Sequence, residues 1–217
     1  RSPRPFAYAA ISAMALLTVT ASVQARHWSS SIALFEHCVA VTPNNPAAYN
    51  NLGRAYHNAG RIDEAVAAYR TALAQGPHLV MARNNLAIVL LESGAFAEAE
   101  SVLREALAMA PDDCRMQLNL GIALAAQGNK DEATVAMSRA VALMPNLVPA
   151  RFSLGTLLLE EGHAADAVEH LEAVIALQPD HVKARKTLAQ AYADLGRPED
   201  AARQRDAAAA LTAALSL

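Results

Sequence analysis

Apolar and polar residues follow one another along this chain with the spacing of a helix surface, and the helices recur. From Trp28 to Val41 the apolar positions Ile32, Leu34, Phe35, Val39 and Val41 mark one amphipathic helix, closed by Thr42 and Pro43. Beyond it the layout returns every 34 residues. Pro43, Pro77, Pro111, Pro145 and Pro179 form one series of breakers, and Gly60, Gly94, Gly128, Gly162 and Gly196 form a second in phase with it. Two breaker series in step over five copies identify an internal repeat, each copy a pair of helices.

Within a copy the seventh place is leucine (Leu52, Leu86, Leu120, Leu154, Leu188) and the eighth is small (Gly53, Ala87, Gly121, Gly155, Ala189). Twelve places later comes Ala65, Ala99, Ala133, Ala167 or Ala201. Small residues at facing places let two antiparallel helices approach closely. The glycine between them predicts a left-handed residue ending the first helix. Acidic residues then open the second: Asp63 and Glu64, Glu98, Asp131 and Glu132, Asp166, and Glu199 and Asp200 after Pro198. The expected divisions are a half repeat over 27–45 and five repeats over 46–79, 80–113, 114–147, 148–181 and 182–217. Tyr69, Leu103, Met137 and Leu171 read as side chains awaiting the next repeat, and the last copy carries Arg205 there instead, as a wetter capping end would.

The residues of one period resemble the tetratricopeptide repeat, from about Trp28 to the C-terminus. The resemblance implies an all-α fold, a right-handed superhelical solenoid of helix-turn-helix repeats whose first helices line a concave groove. It also implies that the second, fifth, sixth, ninth, twelfth and thirteenth places face that groove. The sixth place reads Asn51, Asn85, Asn119, Ser153 and Thr187, which resembles the asparagine ladder of the O-GlcNAc transferase superhelix. There the side-chain amides hold an extended peptide by its backbone, each offering a donor and an acceptor. Around the ladder the expected groove is polar at Asn50, Arg54, His57, Asn58 and Asn84, and apolar at Ile88, Leu118, Ile122, Phe152 and Leu159. Asparagine at the sixth place also has a purely internal reading, since it can hydrogen-bond within the repeat. The expected partner is a protein or an extended peptide.

Ahead of the repeats lies Phe6 to Val23, eighteen residues without a charge, with Arg1 and Arg4 before it and Arg26 after it. A helix of that length reaches roughly 27 Å, close to the apolar thickness of a bilayer. Three readings stand here: a transmembrane helix, a secretory signal peptide with small residues around Val23-Gln24-Ala25, and a helix packed on the first repeat. The reading carried forward is a transmembrane helix within 1–26, which places the repeats on the extracytoplasmic side. The junction is similar to that of transmembrane and tetratricopeptide-repeat proteins of the O-mannosyltransferase-like kind, through Trp28, Leu34, Pro43, Asn45, Tyr49 and Asn51 to Gly53. That likeness covers residues 6–55 and implies, as an alternative, the acceptor-recruiting end of a membrane glycosyltransferase.

Composition narrows the chemistry. A formal charge of −3 and no basic run interleaved with aromatics argue against a nucleic-acid partner. Cys38 and Cys114 show no metal-ligand spacing and are expected to be small buried apolar residues. His163 and His170 with Asp166 and Glu169 read as a solvated surface. Ser29, Ser30 and Ser31 read as a polar helix start. No catalytic residue, metal site or cofactor is expected in this chain.

Overall fold

A computed structural model describes residues 30–214. Among them are eleven helices and no strand: α1 (Ser31–Val41), α2 (Pro46–Asn58), α3 (Ile62–Gln75), α4 (Val80–Glu92), α5 (Phe96–Met109), α6 (Cys114–Ala126), α7 (Lys130–Leu143), α8 (Val148–Glu160), α9 (Ala164–Leu177), α10 (Val182–Asp194) and α11 (Pro198–Ala214). Phe6 to Val23 and Trp28 lie outside the described residues. Among those described, no helix is long and apolar enough to cross a membrane. The chain forms two compact units, the first running to Val89 and the second from Leu90 on.

Local chemistry sets the helix ends. The Ser30 hydroxyl accepts from the Ala33 amide at 3.1 Å and caps α1 at Ser31, while Ser29 lies outside the described residues. Asn45 caps α2 through the Ala48 amide at 3.0 Å, and Asp113 caps α6 through the amides of Arg115 and Met116, both at 2.9 Å. The second helices α3, α5, α7, α9 and α11 each carry a carboxylate in the first turn, where the helix dipole favours it. Each is preceded by a glycine with φ between 67° and 84°, the left-handed conformation expected of those breakers.

In the first unit α2 packs antiparallel on α3, and α1 packs on α2. In the second unit α6 pairs with α7, α8 with α9 and α10 with α11, and each pair's second helix packs against the next pair's first. The leucines at the seventh place and the alanines at the twentieth are buried throughout. Burying each leucine side chain contributes about 1.5–3 kcal/mol. Tyr69, Met137 and Leu171 pack inside their own pair, which adds to the expectation that the next repeat receives them. A Cβ on Gly53 would come within 2.8 Å of the Tyr69 ring, one on Gly121 within 2.5 Å of Met137 Cγ, and one on Gly155 within 2.9 Å of Leu171 Cγ. The small eighth place therefore makes room for a large side chain of the partner helix.

Two recurring ties were not apparent in the sequence. The fourth place of each repeat reads Tyr49, Arg83, Gln117, Arg151 and Arg185, a chemically mixed column. Arg83, Gln117, Arg151 and Arg185 each donate back to the carbonyl of the proline six residues earlier, namely Pro77, Pro111, Pro145 and Pro179. Tyr49 breaks the series, and Gln75 Nε2 takes over by donating to the Pro43 carbonyl at 2.9 Å. The second tie occurs once in each unit. Tyr56 donates to Glu36 at 2.8 Å while Arg61 lies 4.5 Å over its ring, and Tyr192 donates to Glu172 with Arg197 4.4 Å over its ring. Burial and the Glu172 bond push the Tyr192 hydroxyl up to about 12.

The cysteines depart from expectation. Cys38 and Cys114 are free thiols and only half-buried. Cys38 sits on α1, which has no fully buried residue, and Cys114 is the first residue of α6.

Candidate functional site

Eight of the expected groove residues belong to the first unit. Asn50, Asn51, Arg54, His57 and Asn58 come from α2, and Asn84, Asn85 and Ile88 come from α4. Spacings of three and four residues bring Asn51, Arg54 and Asn58 onto one stripe of α2. Arg54 and Asn58 are exposed, whereas Asn50, Asn51, His57, Asn84, Asn85 and Ile88 are half-buried. One bond joins the two helices here, from Asn85 Nδ2 to Asn50 Oδ1 at 3.0 Å. It holds the two faces together and uses one donor of Asn85, leaving that residue's carbonyl oxygen. The Asn51 amide, half-buried, has no hydrogen-bond partner among the described residues, so its donor and its acceptor are both unused. Asn84 differs, because its Oδ1 is shielded from solvent and unpartnered, out of a ligand's reach.

In the second unit the sixth place supplies Asn119, Ser153 and Thr187, all half-buried. The ladder weakens along them. Thr187 donates its hydroxyl to its own helix at the Lys183 carbonyl, 3.1 Å away, which removes its donor from any ligand. Ile122 and Leu159 are half-buried. Phe152 is also half-buried, its ring centroid 5.0 Å from that of His181. His181 in turn caps α10, its Nδ1 accepting from the Ala184 amide at 3.0 Å. Leu118, expected in the groove, is buried, because its place on α6 turns into the contact with neighbouring helices. His163 stands exposed ahead of α9, and burial lowers the pKa of His170, which lies 3.5 Å from Arg151. Among the described residues no three histidine, cysteine or carboxylate side chains gather as a metal site would need.

Three family models, each for the tetratricopeptide repeat, match residues 46–112, 84–146 and 158–213. No curated protein matches the chain. Among solved structures it is similar to a crystal structure of MamA, with 23% identity, TM-score 0.70, and coverage of 76% of this chain and 91% of that one. It is similar to YrrB, described as a TPR protein with an unusual peptide-binding site, with 24% identity, TM-score 0.69, and coverage of 82% and 91%. It is also similar to PilF of Pseudomonas aeruginosa, with 25% identity, TM-score 0.68, and coverage of 76% and 75%. Likenesses at this level of identity speak to the fold. Taken with the in-phase prolines and glycines, the buried leucine and alanine columns and the paired helices, the three matches show that this chain belongs to the tetratricopeptide-repeat family.

Proposed function

We propose that the chain is a docking scaffold that holds an extended segment of a partner protein by its backbone, on the asparagine-bearing face of α2 and α4. The observation that carries this reading is the state of Asn50, Asn51, Asn84 and Asn85. Only one bond is made among them, from Asn85 to Asn50, so Asn51 keeps a donor and an acceptor and Asn85 keeps an acceptor at half-exposed positions. A half-shielded amide is costly to leave unpaired and strengthens any bond that a ligand brings. Packed helices lie about 8–10 Å apart. An extended chain advances about 3.3 Å per residue, so rungs on adjacent first helices would meet every third peptide residue. Arg54, Asn58 and Ile88 around the rungs supply one cationic, one polar and one apolar contact for side chains.

Backbone recognition has a distinctive test. Peptides selected by display against the full chain should tolerate side-chain exchange at the rung positions. N-methylation of single backbone amides should cut their affinity about tenfold at every third residue, as the loss of one well-placed hydrogen bond implies. Uniform tolerance of N-methylation would overturn the reading.

Our reading of the cellular setting rests on sequence alone. The uncharged stretch from Phe6 to Val23, with arginines on both sides, supports a membrane tether with the repeats on the extracytoplasmic side. Protease admitted to the extracytoplasmic side of sealed membranes should cut the repeats and protease confined to the cytoplasmic side should leave them uncut, and release by alkaline carbonate would refute the tether. A second reading, the acceptor-recruiting end of a membrane glycosyltransferase, draws on the likeness of residues 6–55 to the O-mannosyltransferase-like junction. Several further apolar spans encoded upstream of Arg1 would support it, and an initiator methionine a few codons upstream would refute it.

A further inference from the structure

The last helix pair presents a trough that no described residue fills. Two adjoining depressions, of about 550 and 470 Å³, share Lys186 and Arg205. The first is walled by α10 at Ala189 and Ala193, the second by α11 at Ala208 and Ala213. The floor is made by the buried Ala189 and Ala208.

The preceding pair shows what such a trough holds. At the equivalent places α8 and α9 carry Phe152, Gly155, Leu171 and Val174, and there the furrow is occupied, since α10 packs against both helices. Leu171 and Val174 in that pair are sealed, at 0% exposure. The trough between α10 and α11 thus repeats a seat that takes a helix in this same molecule. Its chemistry differs at two places: Phe152 is replaced by Lys186, and Leu171 by Arg205.

Those two cations have no ion-pair partner among the described residues, while their neighbours are engaged. Arg185 donates to the Pro179 carbonyl and to Gln204, and Arg197 and Arg203 both hold Asp200. The carboxylate of Asp194, on α10, accepts from the Gln190 amide at 2.6 Å. Lys186 and Arg205 are both exposed at the edges of an alanine-walled furrow. A cation at that position suits a carboxylate carried by whatever lies in the furrow, and the arginine fork can take one bidentately.

We propose that this trough is a docking seat for an amphipathic helix of a partner protein, packed on the alanines by a small apolar face and fixed by carboxylates on Lys186 and Arg205. This seat is separate from the asparagine face of the first unit, and either can fail without the other.

The probe is an eighteen-residue alanine-based helical peptide with glutamates along one edge, labelled and titrated against the full chain by fluorescence anisotropy. Two controls accompany it, a lysine-for-glutamate version and an acidic version of equal charge interrupted by two prolines. The glutamate helix should bind in the micromolar range, weaken with added salt, and bind at least tenfold more tightly than either control. Lys186→Glu with Arg205→Glu should abolish that binding, keep the melting curve of the parent and gain affinity for the lysine helix. Should the double variant lose its fold, the salt dependence and the two control peptides decide on the parent protein. Equal binding of the proline-interrupted peptide, unchanged binding by the double variant, or no binding of the glutamate helix would each overturn the proposal. Asn51→Ala with Asn85→Ala should leave this binding unaltered.

Discussion

Tyr69 shows how one side chain can be sound in its packing and costly in its chemistry. Its ring fills the space that Gly53 leaves and is wholly buried, yet its hydroxyl is shielded and has no hydrogen-bond partner among the described residues. An orphaned buried hydroxyl costs about 1–3 kcal/mol. Tyr69→Phe keeps the ring and removes the orphan, so urea unfolding at neutral pH should show a gain of about 1 kcal/mol. A loss would mean that the hydroxyl has a partner. The same burial pushes the Tyr69 pKa up to about 12, against about 10 in the unfolded chain. A raised folded-state pKa means that the neutral form's contribution is complete below about pH 10 and is lost as pH rises to about 12. Stability should fall across that window, and Tyr69→Phe should shrink the fall without removing it, because Tyr192 also titrates near 12 in the folded state.

At the scale of a helix pair, the eighth place sets how closely the two helices approach. Gly155 faces Leu171 Cγ at a distance where an added Cβ would sit 2.9 Å away, with the Ala167 carbonyl 3.3 Å away on the other side. Gly155→Val should therefore force α8 off α9, costing about 2–3 kcal/mol. Gly162→Ala meets no atom within 4 Å and bears only the strain of φ at 83°, about 1 kcal/mol. Thermal melts of the two variants should rank in that order, and the reverse would mean that the turn, not the packing, limits the pair. The pairs themselves were legible in the sequence because breakers and small residues act locally and recur in phase. The proline-carbonyl hooks were not, because Arg83, Gln117, Arg151 and Arg185 share only a long side chain with a donor at its end, which residue-type matching does not detect. The replacement of the Tyr49 hook by Gln75 was further hidden, since it comes from another helix. The apolar character of Leu118 likewise gave no sign of which way it turns, and the fold turns it inward.

Across the molecule, the family's repeat sets the sixth place of each copy on a first helix. The half-buried state of the sixth-place residues is common to both units, but their usefulness is not. Asn51 and Asn85 retain unsatisfied amide groups, whereas Thr187 is tied to its own helix. Sequence alone could place these residues in one column; it could not show that Asn50 takes a donor from Asn85, because that bond joins residues 35 apart, one on α2 and one on α4. The most direct test of the account is the affinity of a display-selected peptide for Asn51→Ala with Asn85→Ala, read by fluorescence anisotropy beside a melting curve. Loss of two amide contacts, at about 1 kcal/mol each, predicts a Kd raised about tenfold to thirtyfold in a variant that still melts cooperatively, its midpoint lowered only by the lost Asn85–Asn50 bond; an unchanged Kd in a folded double variant would contradict it.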